Sequence, residues 1–568
     1  MYAGRVIATC AAIAFSLAVP SLHARVLSGL GAEPGYAIGA ACLLLGTMAA
    51  MLAWPGDSAE PPSTAPPTRR LAAMVLGALA AFALVYAAAL ALLPIVFGGP
   101  VDVVRGDMLV ITEAGVRRFL AGGTPYAMYK VPWDTTLSYG PVLWGPFVLP
   151  IVLHADMRIL TLVCFGSAGG ALVFLAAAAA GRREWIGSAA VAVLAIALMA
   201  QPDIRGFFPT GHTLVYWPLL LLLCVALAVD RWLLAAVILG LLVAARTTMI
   251  GMVPVFLIAA HHRRTLSWRV AAALALAALG PFLPFIAVDP QSVQYSMYGA
   301  YQKTIKGFVW SQTQWVQQTF GVTGSLLRHG LQRYVEPVQI VSLLAVCALA
   351  WRALRRGARP EPWMALGLLV FCMTTYWPVT YLYFDVWVFL IGAFALRVSP
   401  PAARLARIGA AAAIVFGIAA AATLAAGSAL RGTFDLDVGT PDAAAMTGGG
   451  FGQDRSEVED GRTFVWVEGT TARVRAPHAG LSAATITIEV RPAGDGSPPR
   501  QQMRLSLNGH TVGTAVTLEP GWQAVSFPVP ANRWNYGFNL LAMEFSRTFG
   551  EPGTDRPLSA AIDRITIR

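Results

Sequence analysis

Two carboxylates, Asp107 and Glu113, open a polar, aromatic-rich stretch between apolar segments, GDMLVITEAGVRRFLAGGTPYAMYKVPWDTTLSYGP, running from Gly106 to Pro141, with Asp102 just ahead of it. A carboxylate within hydrogen-bond reach of an alcohol can take its proton as the alcohol attacks an electrophilic carbon. Asp107 also suits a structural task, because it precedes a predicted helix from Met108 to Leu120 and Asp is a favoured N-cap. Farther along stand cations: Arg205 and His212 in QPDIRGFFPTGHT, Arg246 between two apolar segments, and Lys303 and Lys306 in the stretch after Asp289. A departing phosphate needs such groups as charge grows on its oxygen, and the paired donors of a guanidinium favour Arg205 and Arg246. Arg246 equally suits an interfacial anchor, and His212 an ordinary loop histidine. Asp385 lies at the mouth of an apolar segment beside Tyr383 and Trp387, and a carboxylate at the membrane edge is a functional candidate. Tyr126 and Tyr139 join Tyr129, Trp133, Trp310, Trp315, Tyr376, Trp377, Tyr381 and Tyr383 as rings that stack on sugar C–H faces or form an interfacial belt.

The elements that must position these groups are set by composition. The 568 residues are 57% hydrophobic and only 12% charged, which marks a polytopic membrane protein. Apolar runs long enough for about 30 Å of hydrocarbon, separated by short Arg-containing loops, predict helices and not the alternating strands of a barrel. The formal charge of +11 then reflects basic cytoplasmic loops, so nucleic-acid binding is not inferred. Six cysteines, Cys10, Cys42, Cys164, Cys224, Cys347 and Cys372, all lie in apolar segments with no CxxC, which points to neither disulfides nor zinc.

With basic loops taken as cytoplasmic, the chain divides into an N-terminal transmembrane hairpin (1–54), a Pro-rich cytoplasmic linker (55–70) and a transmembrane domain (71–430) with an outer loop at 98–141. The first run, Val6 to Leu22, also admits a signal peptide cut after Ala24. About 13 crossings fit the charge pattern if Val142 to Leu153 does not cross and the apolar pieces on either side of Arg246 are separate. After Leu430 short alternating runs, ATITIEV, MRLSLNG, QAVSFPV, LLAMEFS and AAIDRITI, predict an antiparallel, jelly-roll-like β-sandwich over 433–568. An odd number of crossings from a cytoplasmic N-terminus puts that sandwich on the outer face, the periplasm of a Gram-negative cell.

Asp107, Val110, Ala114, Leu120, Gly122, Pro125 and Tyr126, followed by Tyr139-Gly140-Pro141, resemble the first outer loop of GT-C glycosyltransferases, and most of all the bacterial polyprenol-phosphate-dependent, mannosyltransferase-like branch. Many relatives carry Tyr-Pro-Pro where this chain has Tyr-Gly-Pro. The step Gly211-His212-Thr213 is similar to a Gly-Gln-x-Asn-like step of that branch, and Arg246 to a downstream lysine. The resemblance implies a GT-C-like catalytic domain that transfers a sugar from a polyprenyl-phosphate donor to an acceptor hydroxyl of a glycan or glycolipid, with inversion, at the periplasmic face of the bacterial inner membrane. Asp107 is then the general base. Arg205, Arg246, His212, Lys303 and Lys306 bind the donor phosphate, and Glu113, Tyr126, Tyr139 and Asp385 bind acceptor or sugar. No Asp-x-Asp lies in the first loop and no nucleotide-binding motif occurs, so no metal or other cofactor is expected, although some relatives use divalent cations. The C-terminal region resembles the carbohydrate-binding-module-like sandwiches that accompany such enzymes, and its Trp522, Trp534 and Tyr536 suit either glycan contact or packing. The alternatives are a lipid-linked glycan ligase or polymerase, a lipid or solute transporter, and a membrane anchor for a glycan-binding sandwich.

Overall fold

A computed structural model describes residues 2–25, 32–55, 67–101, 106–131, 134–300, 302–399, 405–429, 434–459, 461–478, 482–494, 500–550 and 556–568. The apolar segments are helical. Among the described residues nine helices are long and apolar enough to cross a membrane: Tyr2–Leu22, Pro34–Leu52, Leu71–Phe97, Met157–Gly181, Trp185–Phe207, Trp268–Val288, Gln332–Arg355, Thr380–Val398 and Gly409–Ala429. The other segments read as crossings are shorter, Thr213–Ala228, Trp232–Ala245, Thr247–His262 and Pro360–Thr374. Helices are required because hydrocarbon offers backbone N–H and C=O groups no partner outside the segment. Their exposed side chains are themselves apolar, as at Leu76 and Leu79, Leu276 and Leu279, and Ile340 and Leu344, which suits lipid. The helix Phe384–Val398, in contrast, is buried along nearly its whole length.

Pro141–Val152 is two short helices joined by a 3-10 turn, Gly145–Phe147. At about 1.5 Å per residue it reaches roughly 18 Å, too short to cross as a straight helix. The apolar run around Arg246 is interrupted: Trp232–Ala245 ends, Arg246 is extended (φ −149, ψ 126), and a 3-10 turn, Thr247–Met252, leads into Val253–His262. Beside this break lies the turn Tyr139-Gly140-Pro141. A Cβ on Gly140 would stand 1.7 Å from the Ala244 carbonyl oxygen, so the turn lies flat against the end of that helix only because residue 140 has no side chain. A proline there would bring the same Cβ, which gives a physical reason for Tyr-Gly-Pro.

The chain forms two compact units, the first comprising 1–88, 103–149 and 160–422, the second 89–102, 150–159 and 423–568. Residues 1–54 belong to the first unit together with the later helices. The Ser21 hydroxyl donates to Gln201 Oε1 (3.1 Å), and Gln201 Nε2 donates to the Leu17 carbonyl (2.7 Å). Most of the Pro-rich linker, and both Asp102 and Trp133, lie outside the described residues. In the 106–141 stretch the helix Asp107–Leu120 is followed by a small hairpin of β1 (Met128–Lys130) and β2 (Asp134–Thr136).

The second unit is built on two antiparallel sheets of strands β3 (Phe434–Asp437), β4 (Phe451–Glu459), β5 (Arg462–Glu468), β6 (Thr471–His478), β7 (Ala484–Pro492), β8 (Gln502–Leu507), β9 (His510–Thr517), β10 (Gln523–Val529), β11 (Gly537–Phe545), β12 (Phe549–Gly550) and β13 (Pro557–Ile567). One sheet runs β10-β7-β13-β5-β4, with β3 and β12 also paired to β13; the other runs β6-β11-β8-β9. Alternation fills the core, since Ile486, Ile488 and Val490 on β7 and Leu541, Met543 and Phe545 on β11 point inward. Trp534 is buried and stacks on His478 with ring centroids 4.2 Å apart, a packing role. Residues 89–102 and 150–159 join this unit through Arg158. Its fully buried guanidinium makes a two-pronged pair with Asp156 (2.9 and 2.6 Å), donates to the Gly99 carbonyl (2.8 Å), and lies over the Phe538 ring. The Asp156 N–H donates to the Tyr536 carbonyl at 2.8 Å.

Arg158→Ala leaves Asp156 buried without its counter-charge, and we expect a loss of about 3–5 kcal/mol, read as a lower unfolding temperature of the purified protein; an unchanged temperature refutes it. Gly140→Ala forces the end of the helix Trp232–Ala245 aside and is expected to cost about 1–3 kcal/mol, with activity falling by more than the stability loss explains because Arg246 moves with it. An alanine variant with wild-type melting and turnover would show that the contact yields freely.

Candidate active site

Interruptions in the helical pattern converge. Arg246 caps the C-terminal end of Trp232–Ala245, Tyr216 and Trp217 stand where the 3-10 turn Thr213–Tyr216 becomes the helix Trp217–Ala228, and Asp385 lies in the first turn of Phe384–Val398. The Asp385 carboxylate, 1% exposed, accepts from the Tyr216 hydroxyl (2.7 Å) and from Trp217 Nε1 (3.0 Å). Arg246 Nη1 donates to the Tyr216 hydroxyl oxygen at 3.0 Å and lies 3.5 Å from Asp385 Oδ2. Its guanidinium covers the ring of Tyr381, 5.1 Å from the centroid, and Phe207 stacks on the same tyrosine at 4.7 Å.

Asp107 begins the amphipathic helix Asp107–Leu120 and is half-buried, within electrostatic reach of Tyr381. Burial holds its carboxyl above the usual aspartate range. The neighbouring backbone is close-set, because a Cβ on Gly106 would meet Thr210 at 2.9 Å. Two residues after Thr210, His212 is buried, and neither ring nitrogen has a hydrogen-bond partner among the described residues. It meets Tyr139 edge-on at 4.0 Å. Burial, and then the Arg246 charge, hold the His212 imidazole well below the ordinary histidine range, so it is neutral. A neutral imidazole offers one donor and one acceptor to whatever enters.

The structure therefore brings together Asp107, Tyr139, His212, Arg246 and Asp385. Other residues singled out in the sequence have separate surroundings. Glu113 pairs with Arg117 one turn along its own helix (2.7 Å). Tyr126 is fully buried, donating to the Tyr139 carbonyl (3.3 Å) and accepting from Trp144 Nε1 (3.3 Å), so it pegs the hairpin region to the Tyr139 turn. Arg205 is half-buried in the short helix Pro202–Phe207, Lys303 is exposed, and Lys306 pairs with Glu336 (2.5 Å) over the ring of Tyr376. Tyr216 and Trp217 were not picked out from the sequence. Their one signal was a pair of polar-tipped aromatics heading a leucine run, and their partner Asp385 is more than 160 residues away. Among the described residues no three His, Cys, Asp or Glu side chains are grouped so as to hold a metal.

No curated protein matches the chain significantly. Residues 138–378 match the model of Glycosyltransferase family 87, a GT-C-type family, a stretch that holds Tyr139, Arg205, His212, Tyr216 and Arg246 but ends before Asp385 and begins after Asp107. Although the match spans less than half of the chain, together with the many membrane-length helices this similarity to glycosyltransferase family 87 indicates a multi-pass membrane glycosyltransferase.

Proposed function

We propose that the chain moves a sugar from a polyprenyl-phosphate carrier to an acceptor hydroxyl of a glycan or glycolipid, with Asp107 as general base and Arg246 at the departing phosphate. The observation that carries this reading is a half-buried carboxylate and a guanidinium only 11% exposed acting on one tyrosine, Tyr381. In the transfer, the acceptor oxygen bonds to the anomeric carbon while its proton passes to Asp107. The bond from that carbon to the phosphate oxygen breaks, and the lipid phosphate leaves with the electron pair, its charge met by Arg246. A single displacement inverts the anomeric centre. Tyr139 and neutral His212 supply a ring and hydrogen bonds to the sugar or phosphate. Arg205, Lys303 and Lys306 add positive potential toward the anionic headgroup, while Glu113 and Tyr126 hold the loop in shape.

In this reading the positive charge at the phosphate comes from Arg246 and not from a divalent cation. The reaction lies on the periplasmic face of a bacterial inner membrane. Arg-rich turns such as those at 181–184, 261–264 and 351–359 support that orientation, since cytoplasmic loops carry the excess of Lys and Arg.

The test is transfer by purified protein from polyprenyl-phosphate sugars to hydroxyl acceptors. Asp107→Asn is expected to lower kcat by about 10²- to 10⁴-fold, and full activity in that variant sinks the base assignment. Because Asp107 must be ionised to accept a proton and burial raises its pKa, the rate should fall on acidification at a pH above the ordinary aspartate value of about 3.9. The acid limb should vanish in the Asn variant. Activity is expected to survive a chelator; its loss, restored by added metal, assigns the phosphate to a cation instead.

A further inference from the structure

We propose that Asp385 is a positioning residue: through the Tyr216 hydroxyl it fixes the direction of the Arg246 guanidinium, and it contacts neither sugar nor acceptor. This inference rests on the reading of Arg246 as the phosphate-binding cation. The geometry has three parts. Asp385 is 1% exposed, and its two carboxylate oxygens are taken by different donors, Oδ2 by the Tyr216 hydroxyl and Oδ1 by Trp217 Nε1. A tyrosine hydroxyl has one proton, so once it is given to Asp385 the hydroxyl oxygen can only accept, and it accepts from Arg246 Nη1. The carboxylate thus sets the polarity of the whole relay. Last, Arg246 sits at an extended residue between two helical segments, where no regular helix fixes its side chain, and the ring of Tyr381 bounds one plane of the guanidinium.

The direct Nη1–Oδ2 separation of 3.5 Å is longer than the two tyrosine bonds, so the orientation is transmitted mainly through Tyr216. Planarity makes this consequential. A guanidinium offers its donors in one plane, and a phosphate is met by paired donors only if that plane is turned toward it. Asp385 also supplies the negative charge without which a guanidinium 11% exposed to solvent is costly to keep. Removing that charge alone makes the site more attractive to an anion, whereas losing the orientation slows the step in which charge develops. The two effects act on different kinetic constants.

Tyr216→Phe keeps the ring and deletes only the relay; Asp385→Asn keeps the volume and deletes the charge. Both are expected to lower kcat about tenfold, the scale of one charge-assisted hydrogen bond, with the KM for the polyprenyl-phosphate sugar unchanged or lowered. In an Arg246→Gln background neither substitution should reduce kcat further, because nothing remains to be oriented. Additive losses in that background, or wild-type kcat in Tyr216→Phe, overturn the positioning role. Binding of sugar-free polyprenyl phosphate in nanodiscs separates the two readings. If Arg246→Gln binds it as tightly as wild type, Arg246 is not the phosphate cation and this inference falls with it. If Arg246→Gln loses binding while Tyr216→Phe matches wild type in both binding and kcat, only the positioning role is refuted.

Discussion

A guanidinium can be held away from water only if its charge is matched and its N–H groups are bonded. Around Arg246 the Asp385 carboxylate matches the charge, the Tyr216 hydroxyl accepts from Nη1 and the Tyr381 ring covers the guanidinium, and the local architecture follows from these contacts. Arg246 caps the C-terminal end of the helix Trp232–Ala245, where the helix dipole favours a cation. Asp385 lies in the first turn of the helix Phe384–Val398, where it favours an anion. Two helix ends of opposite polarity thus face one another across Tyr216. The apolar run has to break at Arg246 for this to happen, because a continued helix would keep the residue in register with its leucine neighbours. Gly140 serves the same arrangement from outside, letting the Tyr139 turn lie against the last carbonyls of that helix.

How much of this was legible in the sequence divides along physical lines. The helices were, since long apolar runs have few other solutions in a membrane. Asp107, His212 and Arg246 were reachable because each polar residue interrupts or borders an apolar run. The relay through Tyr216 was not. Hydrogen bonds between side chains far apart in the chain leave no periodic trace, and Tyr216 with Trp217 resembles any aromatic pair at a helix mouth. The sandwich shows the same limit. β7 alternates large apolar with mostly polar residues, β10 large apolar with small or polar ones, and both were readable, as was the apolar run LLAM of β11. β6 buries only Ala472, Val474, Ala476 and His478 between arginines and other polar neighbours, and β4 carries several charges. Small or charged strand residues weaken the alternation: β6 still pairs without a break, while β4 pairs with β5 across a register shift between Phe451 and Ser456.

Two acids and one guanidinium in a small site pose a problem of partner choice. Were Arg246 paired with Asp107, the carboxylate would be stabilised as an anion and made a poorer base, and the guanidinium would be committed before any phosphate arrived. Arg246 covers the ring of Tyr381, on which Phe207 stacks, and its ion pair forms with Asp385. Burial, with no ion pair to Asp107 among the described residues, then raises its proton affinity. Burial, and then the same guanidinium field, keep His212 neutral, so that histidine adds hydrogen bonds without adding charge. Charge is thereby divided among the three groups by what surrounds each one: Asp385 is satisfied and fixed, Arg246 is balanced and oriented, and Asp107 is the acid left with an unmet preference for a proton. The proposed displacement, with an alcohol deprotonated on one side and a phosphate received on the other, draws on that division.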